Sequence, residues 1–348
     1  RGPVQGRLMD AIDAAAAPAR GKLAFVALVF GALALYPLVA SGFGSDLATK
    51  IMIFAIFALS LELIVGGAGL VSFGHAAFFG IGAYSVVLLT PADGPASAWW
   101  LLPAAVALAA LYALAVGALS LRTRGIYFIM VTLAFAQMAY YVVHDTPLGG
   151  GTDGIYLNAR PAFGTLLALE GGRTMYYVVY AVLLAVFALL AVLRRSRFGR
   201  ALAGIRVNEQ RMRATGYSTY PYKLAAFTIS GAIAGLGGFL YAVKDGFVNS
   251  ELLAWNESGA VLIMIILGGI GHLRGALIGA FAYALLQEFF KSDAVFGAFA
   301  KHWLLGMGVT IIASVALLPR GLVGIPAMLR RRRARRGPAS TEVRDEPA

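Results

Sequence analysis

The chain has 348 residues, of which 59% are hydrophobic and 13% are charged. Soluble domains carry about 45–50% apolar and about 25% charged residues, so this composition excludes a soluble enzyme. Lipid is the solvent that tolerates such a chain. The net charge of +12 is expected of a membrane protein whose Lys and Arg collect at the cytoplasmic face, and no nucleic-acid partner is needed to explain it.

The sequence lacks the residues on which most catalytic and metal sites depend. It has no cysteine, and no two of its four histidines lie three to five residues apart, which argues against disulfides, thiolate chemistry and a histidine metal cluster. There is no P-loop and no HExxH motif, and the few acids do not group as a catalytic triad or carboxylate pair would require. We therefore expect no catalytic residue, no metal and no cofactor in this chain.

Apolar segments of transmembrane length follow one another along most of the chain. A spanning helix needs about 20 apolar residues, and the third and eighth candidates are the weakest because they are short or rich in glycine. The candidate spans are 22–41, 46–66, 70–90, 98–120, 125–143, 174–193, 223–243, 255–271, 275–291 and 302–319. We expect an all-α polytopic bundle of about ten helices over 22–319, with a cytoplasmic segment at 1–21 and a basic tail at 320–348.

The positions of Lys and Arg predict how the spans are oriented. With both termini cytoplasmic, 23 of the 29 Lys and Arg lie inside and 6 lie outside, which is the asymmetry of the positive-inside rule. The tail carries six arginines between Arg330 and Arg336, and a disordered segment attracted to anionic lipid is the favoured interpretation.

Two glycine-rich interruptions break the apolar pattern in similar ways. Each closes a span, and each leads into a Gly-His pair and then an Ile-Gly-Ala triplet. Paired breaks in two halves of a chain point to a translocation pathway or gate, whereas close helix packing is the alternative. The residues concerned are Gly66, Gly67, Gly69, Ser72, Gly74 and His75 in the first half, and Gly268, Gly269 and Gly271 in the second.

Glu62 is the one acid well inside a predicted span, about one helical turn before the first break. An acid at that depth needs a partner or water. His75, beyond the same break, is a candidate partner. The alternative is that Glu62 ends the helix and reaches the cytoplasmic interface.

The inside loop 194–223 is basic and polar, with Leu202, Ile205 and Met212 as its apolar residues. This pattern predicts an amphipathic surface helix over 199–213 that is ended by Gly216. Such a helix is a suitable docking element for a soluble partner. We expect its apolar side chains to enter a cleft on that partner, while basic residues such as Arg206 pair with acids at the rim.

The stretches Phe198-Gly199-Arg200-Ala201-Leu202, Ile205-Arg206, Asn208-Glu209 and Gly216-Tyr217 resemble the coupling loop of branched-chain amino acid ABC transporter permeases of the LivM type. The resemblance runs from about residue 50 to 325 and includes 69–84, 124–135, 149–154, 222–241 and 267–271. Arg211 and Met212 depart from the small alanines of many ABC importers, which leaves the detailed fit of the loop open.

The resemblance implies a permease subunit of an ATP-driven importer in the bacterial inner membrane, moving branched-chain or related amino acids by alternating access. It implies a LivH-type permease partner, two cytoplasmic ATPase subunits that carry ATP and Mg, and a periplasmic substrate-binding protein. The ATPase-coupling residues it implies are Gly199, Leu202, Ile205, Arg206, Glu209 and Gly216. The binding-protein contacts it implies are Gly150, Thr152, Asp153 and Gly154.

Two alternatives stay open on the sequence. The same family also moves urea, short amides and aromatic acids, and selectivity should reside largely in the separate binding protein. A self-sufficient secondary transporter or channel is disfavoured, because such carriers generally need buried coupling sites and Glu62 is the only obvious acid.

Overall fold

The computed structural model describes residues 27–91, 94, 96–162, 172–318 and 321–325. The N-terminal segment 1–21, the start of the first predicted span and nearly all of the tail 320–348 lie outside the described residues. The helices are α1 (Ala27–Val39), α2 (Gly42–Ala68), α3 (His75–Leu89), α4 (Ala98–Ser120), α5 (Ile126–Asp145), α6 (Gly172–Arg195), α7 (Arg197–Val207), α8 (Glu209–Ala214), α9 (Thr219–Asp245), α10 (Trp255–Gly268), α11 (Leu273–Lys291), α12 (Asp293–Phe296) and α13 (Trp303–Leu317).

The predicted all-α membrane bundle is confirmed. Within the described chain, seven helical segments are long and apolar enough to cross a membrane: α2, α4, α5, α6, α9, α11 and the segment Ala300–Gly324 that contains α13. Shorter apolar helices, α1, α3 and α10, occupy the first, third and eighth predicted spans. The two spans that the sequence marked as weakest are thus among the short ones.

Helices α2 and α9 form the centre of the bundle, because most of their residues are buried against neighbouring helices. Small residues permit this close packing, as is usual between helices in lipid. A side chain added at Gly82 of α3 would overlap the backbone of Gly235 in α9, and one added at Gly231 would overlap Ala113 of α4. By contrast, α4, α5, α6 and α13 are largely exposed, which suits helices that face lipid.

The first glycine break produces a discontinuous helix pair. Helix α2 has 27 residues and α3 has 15, so at about 1.5 Å per residue α3 is much the shorter. Segment 69–74 leads back into the bundle, with Ser72 and Gly74 buried, and α3 begins beside Ser230 of α9. Irregular backbone at membrane depth is tolerated where protein covers it.

Two local features define the ends of the bundle. A two-stranded ribbon pairs β1 (Ile155–Tyr156) with β2 (Phe247–Val248) in antiparallel register, Ile155 opposite Val248; we term this end the ribbon side. Helices α7 and α8 lie at the opposite end, which we term the α7 side. Helix α10 therefore connects the ribbon side to the second glycine break, although it has only 14 residues.

Candidate functional site

Glu62 is fully buried and forms an ion pair with Arg194, the last turn of α6, at 2.7 Å. The same carboxylate oxygen accepts a hydrogen bond from the backbone N–H of Gly271 at 2.9 Å, and Arg194 donates to the carbonyl of Gly271 at 3.0 Å. The acid in the first half of the chain therefore holds the glycine break of the second half. Arg194 lies 132 residues from Glu62, and nothing in their spacing links them.

Arg206 joins the α7 helix to both breaks. Its guanidinium donates a 2.5 Å hydrogen bond to the carbonyl of Gly66. Gly69 and Gly271 both have positive φ angles, and a side chain at either position would meet Arg206 at 3.1 and 3.3 Å, respectively. Only glycine combines this backbone conformation with such close approach. The structure thus brings the two glycine breaks and the loop together at one site on the α7 side.

The predicted pairing of His75 with Glu62 is wrong. His75 is fully buried at the start of α3, and its Nε2 shares a 2.7 Å hydrogen bond with the Ser230 hydroxyl. Ser230 in turn donates to the carbonyl of Ser60, and Ser258 of α10 accepts from the backbone N–H of Ala76 at 2.8 Å. This network ties the interrupted helix to α2, α9 and α10. The interpretation of Glu62 as an interfacial helix end is also wrong, because its side chain is inaccessible.

The single helix predicted over 199–213 is in fact two helices that meet at Asn208. The Asn208 side chain accepts a 2.9 Å hydrogen bond from the N–H of Arg211 and so caps α8, a position that Asn strongly favours. Helix α8 folds back on α7, where a side chain at Gly204 would meet Met212 at 2.7 Å. Gly216 follows α8 with a φ of 88° and turns the chain toward α9, as expected.

The prediction that the Leu202 and Ile205 side chains enter a cleft on a partner is wrong. The two residues are only 1% and 4% exposed, because their side chains pack inside this chain. Gly199 is likewise internal, since a side chain there would overlap the end of α6. Val207 is 84% exposed and Tyr217 is 46% exposed, so these two present the loop's apolar surface to the outside.

Glu209 fastens α8 to the start of α9. One carboxylate oxygen accepts hydrogen bonds from Lys223 at 2.9 Å, Thr219 at 2.8 Å and Arg213 at 2.6 Å. Burial by itself raises the pKa of Glu209, but these hydrogen bonds and the Lys223 charge outweigh it and lower the pKa to about 2. Glu209 therefore remains a carboxylate near neutral pH and keeps the loop in one conformation.

The glycines of the two breaks do not share one structural role. A side chain at Gly268 would overlap the carbonyl of Gly275, and one at Gly279 would overlap that of Met264, so these glycines allow α10 and α11 to touch. A side chain added at Gly67 would meet nothing within 4 Å. Close packing thus accounts for Gly268, and it does not account for Gly67.

The predicted binding-protein contacts lie together on the ribbon side. Gly150 and Gly154 both have positive φ, and at Gly154 a side chain would overlap the carbonyl of Val248 in β2. Between them, Thr152 and Asp153 are exposed at the tip of the turn. The Thr152 hydroxyl donates a 3.4 Å hydrogen bond to the Asp153 carboxylate, and their contact with a binding protein stays a prediction.

Among the residues that the structure describes, no three His, Asp or Glu side chains group so as to hold a metal ion. The buried helix breaks and the basic loop that binds them are instead the architecture of a polytopic membrane transport protein. The family model described as "Branched-chain amino acid transport system / permease component" matches residues 43–315. The chain belongs to this family.

Comparison with curated proteins gives relatives that are described as transport permeases. The chain is 32% identical over 339 residues to the high-affinity branched-chain amino acid transport system permease protein LivM of Escherichia coli K12, covering 91% of this chain and 77% of that one. It is 23% identical over 325 residues to a probable branched-chain amino acid transport permease protein LivM of Methanocaldococcus jannaschii, covering 80% and 93%. It is also 26% identical over 135 residues to the autoinducer 2 import system permease protein LsrC of Photorhabdus laumondii, covering 37% and 40%. No solved structure matches the chain.

The cation that neutralises Glu62 is the main residue that sequence reasoning missed. The available signal was charge balance: a fully buried acid requires a cation, and the basic residues at the end of α6 are among those on the same side of the bundle.

Proposed function

We propose that this chain is a permease subunit of an ATP-driven importer for branched-chain or related amino acids. Its partners are a LivH-type permease, two cytoplasmic ATPase subunits that carry ATP and Mg, and a periplasmic binding protein. The observation that supports ATP-driven coupling is the arginine site: Arg206 of α7 and Arg194 of α6 both hold the glycine breaks.

The site provides a physical route from the loop to the pathway. An ATPase subunit that moves α7 would carry the Arg206 guanidinium, and with it the hydrogen bond to Gly66 and the contacts with Gly69 and Gly271. Gly66 lies in the last turn of α2, and Gly271 follows α10. Alternating access then consists of a change at both breaks when the loop moves, with the binding protein docking at Thr152 and Asp153 on the ribbon side.

The exposed residues of the loop supply the test of docking. Because Val207 is 84% exposed, Val207→Asp should leave the permease folded and reduce co-purification of the ATPase subunits. Tyr156→Asp is the matched control, since Tyr156 is 73% exposed on the ribbon side. Unchanged co-purification with both Val207→Asp and Tyr217→Asp would refute docking through this loop.

The curated relatives that match most of the chain are described as branched-chain amino acid permeases, which favours that substrate class over urea, amides or aromatic acids. Uptake of labelled leucine, urea and benzoate by cells expressing the complete system distinguishes these substrates. We expect leucine uptake that stops when the ATPase subunits carry an inactive P-loop. Uptake that continues without ATP hydrolysis would instead indicate a secondary transporter.

The ion pair of Glu62 argues against a secondary transporter. A carrier driven by protons or sodium needs an acid that can exchange its cation. Glu62 is fully buried and is already paired with Arg194, so it serves the connection between helices.

A further inference from the structure

A cavity of about 660 Å³ opens between α2, α9, α10, α11 and α13. It lies on the ribbon-side half of the bundle, since it is lined by the beginning of α2, the beginning of α10 and the end of α11. Its size is that of a small-molecule site, for which about 300–1,000 Å³ is usual. None of its lining residues belongs to the arginine site.

The cavity carries charges of both signs in equal number. Glu257 and Glu288 supply two carboxylates, and Lys50 and Lys291 supply two ammonium groups. Glu257 is half-buried, and among the described residues its carboxylate takes part in no hydrogen bond, with Lys50 the cation whose charge acts on it. A carboxylate that is desolvated but not hydrogen-bonded is ready to accept a ligand's donor.

Aromatic and aliphatic side chains complete the wall. The Lys291 ammonium lies 4.4 Å from the centre of the Trp303 ring, and that of Lys50 lies 6.0 Å from the Tyr241 ring; both distances allow cation–π contact, which holds each ammonium group at the wall. The apolar part of the lining is formed by Phe54, Ile51, Ala260, Ile263 and Met264. A branched aliphatic side chain could bury its surface there.

We propose that this cavity is an entry site for an apolar α-amino acid, bound as a zwitterion with its ammonium group toward Glu257 and its carboxylate toward Lys50 or Lys291. The assignment rests on the proposed transport function and adds to it the residues that receive the substrate. Balanced charges suit a zwitterion better than they suit neutral urea or an anionic aromatic acid, because each ionic end of the ligand meets an opposite charge.

The helices that line the cavity also reach the arginine site. Along α2, Lys50 and Glu62 are 12 residues apart, and along α10, Glu257 and Gly268 are 11 apart. At about 1.5 Å per residue these separations are about 18 and 17 Å. Ligand in the cavity thus contacts the same two helices whose ends the loop holds.

The absence of native cysteine allows a direct test in the whole chain. Ala260 lines the cavity, so Ala260→Cys places one thiol in its wall, where a membrane-impermeant thiol reagent measures access. In reconstituted bilayers we expect L-leucine to slow labelling by about tenfold. We expect 4-methylpentanoate, which lacks the ammonium group, and isoamylamine, which lacks the carboxylate, to protect much less at equal concentration.

A second substitution tests the assigned carboxylate. In the Ala260→Cys chain, Glu257→Gln should raise the leucine concentration needed for half-protection about tenfold or more, because a hydrogen bond to a charged group is lost. Asp293→Asn is the control, since Asp293 is exposed and lies outside the cavity lining. The labelling rate without ligand reports that each variant has kept its fold.

Three results would overturn the site. One is labelling that L-leucine does not slow; another is equal protection by leucine and 4-methylpentanoate; and the third is reaction in detergent but not in bilayers, which would assign the cavity to lipid. Leucine uptake by the same Ala260→Cys chain in the complete system separates the two proposals. Leucine uptake without protection of the thiol would reject the cavity as the entry site but leave the transport function supported. Protection of the thiol without ATP-driven uptake would support the cavity and reject the ATP-driven transport function.

Discussion

The buried pair of Glu62 and Arg194 is unequal in its access to water. The Glu62 side chain is 0% exposed and that of Arg194 is 24% exposed. Removing one partner of a buried pair costs about 3–5 kcal/mol when a charge is left without compensation. We expect Arg194→Gln to destabilise the chain by about that amount, because the Glu62 carboxylate cannot reach solvent.

Glu62→Gln should cost less, about 1.5–3 kcal/mol, because Arg194 can turn toward water and the amide oxygen can still accept from Gly271. Thermal unfolding of the purified variants measures the difference, with Arg195→Gln as the control at a neighbouring exposed position. Equal losses for the two variants would show that Glu62 is hydrated or already neutral.

The pKa of Glu209 predicts a pH profile for the loop. Its folded-state pKa of about 2 lies below the ordinary value of 4.5, so the carboxylate stabilises the folded loop at all pH above the ordinary value. That contribution is lost as the pH falls from about 4.5 toward about 2. The protection of residues 209–214 from hydrogen exchange should therefore be the same at pH 6 and at pH 8, because Glu209 is ionised at both values.

The matched variant Glu209→Gln should speed exchange in α8 at both pH values, because its amide no longer balances the charges of Lys223 and Arg213. Protection from exchange, relative to the intrinsic rate at each pH, that falls in the wild-type chain between pH 8 and pH 6 would contradict the lowered pKa.

The sequence predicts the importance of some residues but not the surroundings of others. Glu62 stands out as an acid in an apolar segment, and the glycine runs stand out by composition. The burial of Leu202 and Ile205 could not be read in the same way, because an apolar stripe on a surface helix does not say whether it faces its own chain or a partner.

Among the helices, the two glycine breaks make separate predictions. Gly268→Ala should prevent α10 and α11 from packing, since the added methyl group would overlap the backbone of Gly275. Gly67→Ala is the matched substitution in the other break, where the methyl group enters open space and stabilises the end of α2 by about 0.5–1 kcal/mol.

Size-exclusion profiles of the two variants compare their folding. We expect monodisperse Gly67→Ala protein and aggregated or poorly expressed Gly268→Ala protein. The larger substitution Gly67→Val then tests gating by uptake in a folded chain, which Gly268→Val cannot do. A folded, active Gly268→Ala variant would show that α10 and α11 can separate without cost.

The helices and their two glycine interruptions were mostly predictable, and the division of the loop into two helices was not. Spans of about 20 apolar residues identify long helices directly, and the short α3 and α10 correspond to the candidates that looked weakest. The division of the loop at Asn208 escaped a periodicity argument, although Asn before Glu209 is a recognisable helix start.

At the scale of the whole molecule, two long-range contacts fix which parts of the chain lie at each end of the bundle. Pairing of Ile155 with Val248 requires the α5–α6 and α9–α10 connections to share one side. Contact of Arg206 with Gly66 requires α7 and the first break to share the other. Hydropathy alone gives the spans, but these long-range contacts come from tertiary packing between residues far apart in sequence.

Orientation in the membrane follows once either end is located. The positive-inside rule places Arg206 inside and residues 144–173 outside, so in intact cells an impermeant thiol reagent should label Asp153→Cys and Asn249→Cys. Val207→Cys should react only after the cells are permeabilised, and the buried control Leu183→Cys should not react in either case. Because the ribbon joins the first two positions, they must agree whatever the orientation. Labelling of Val207→Cys in intact cells would show that the orientation is reversed. Helix α7 would then lie outside the cell, where no cytoplasmic ATPase could reach it.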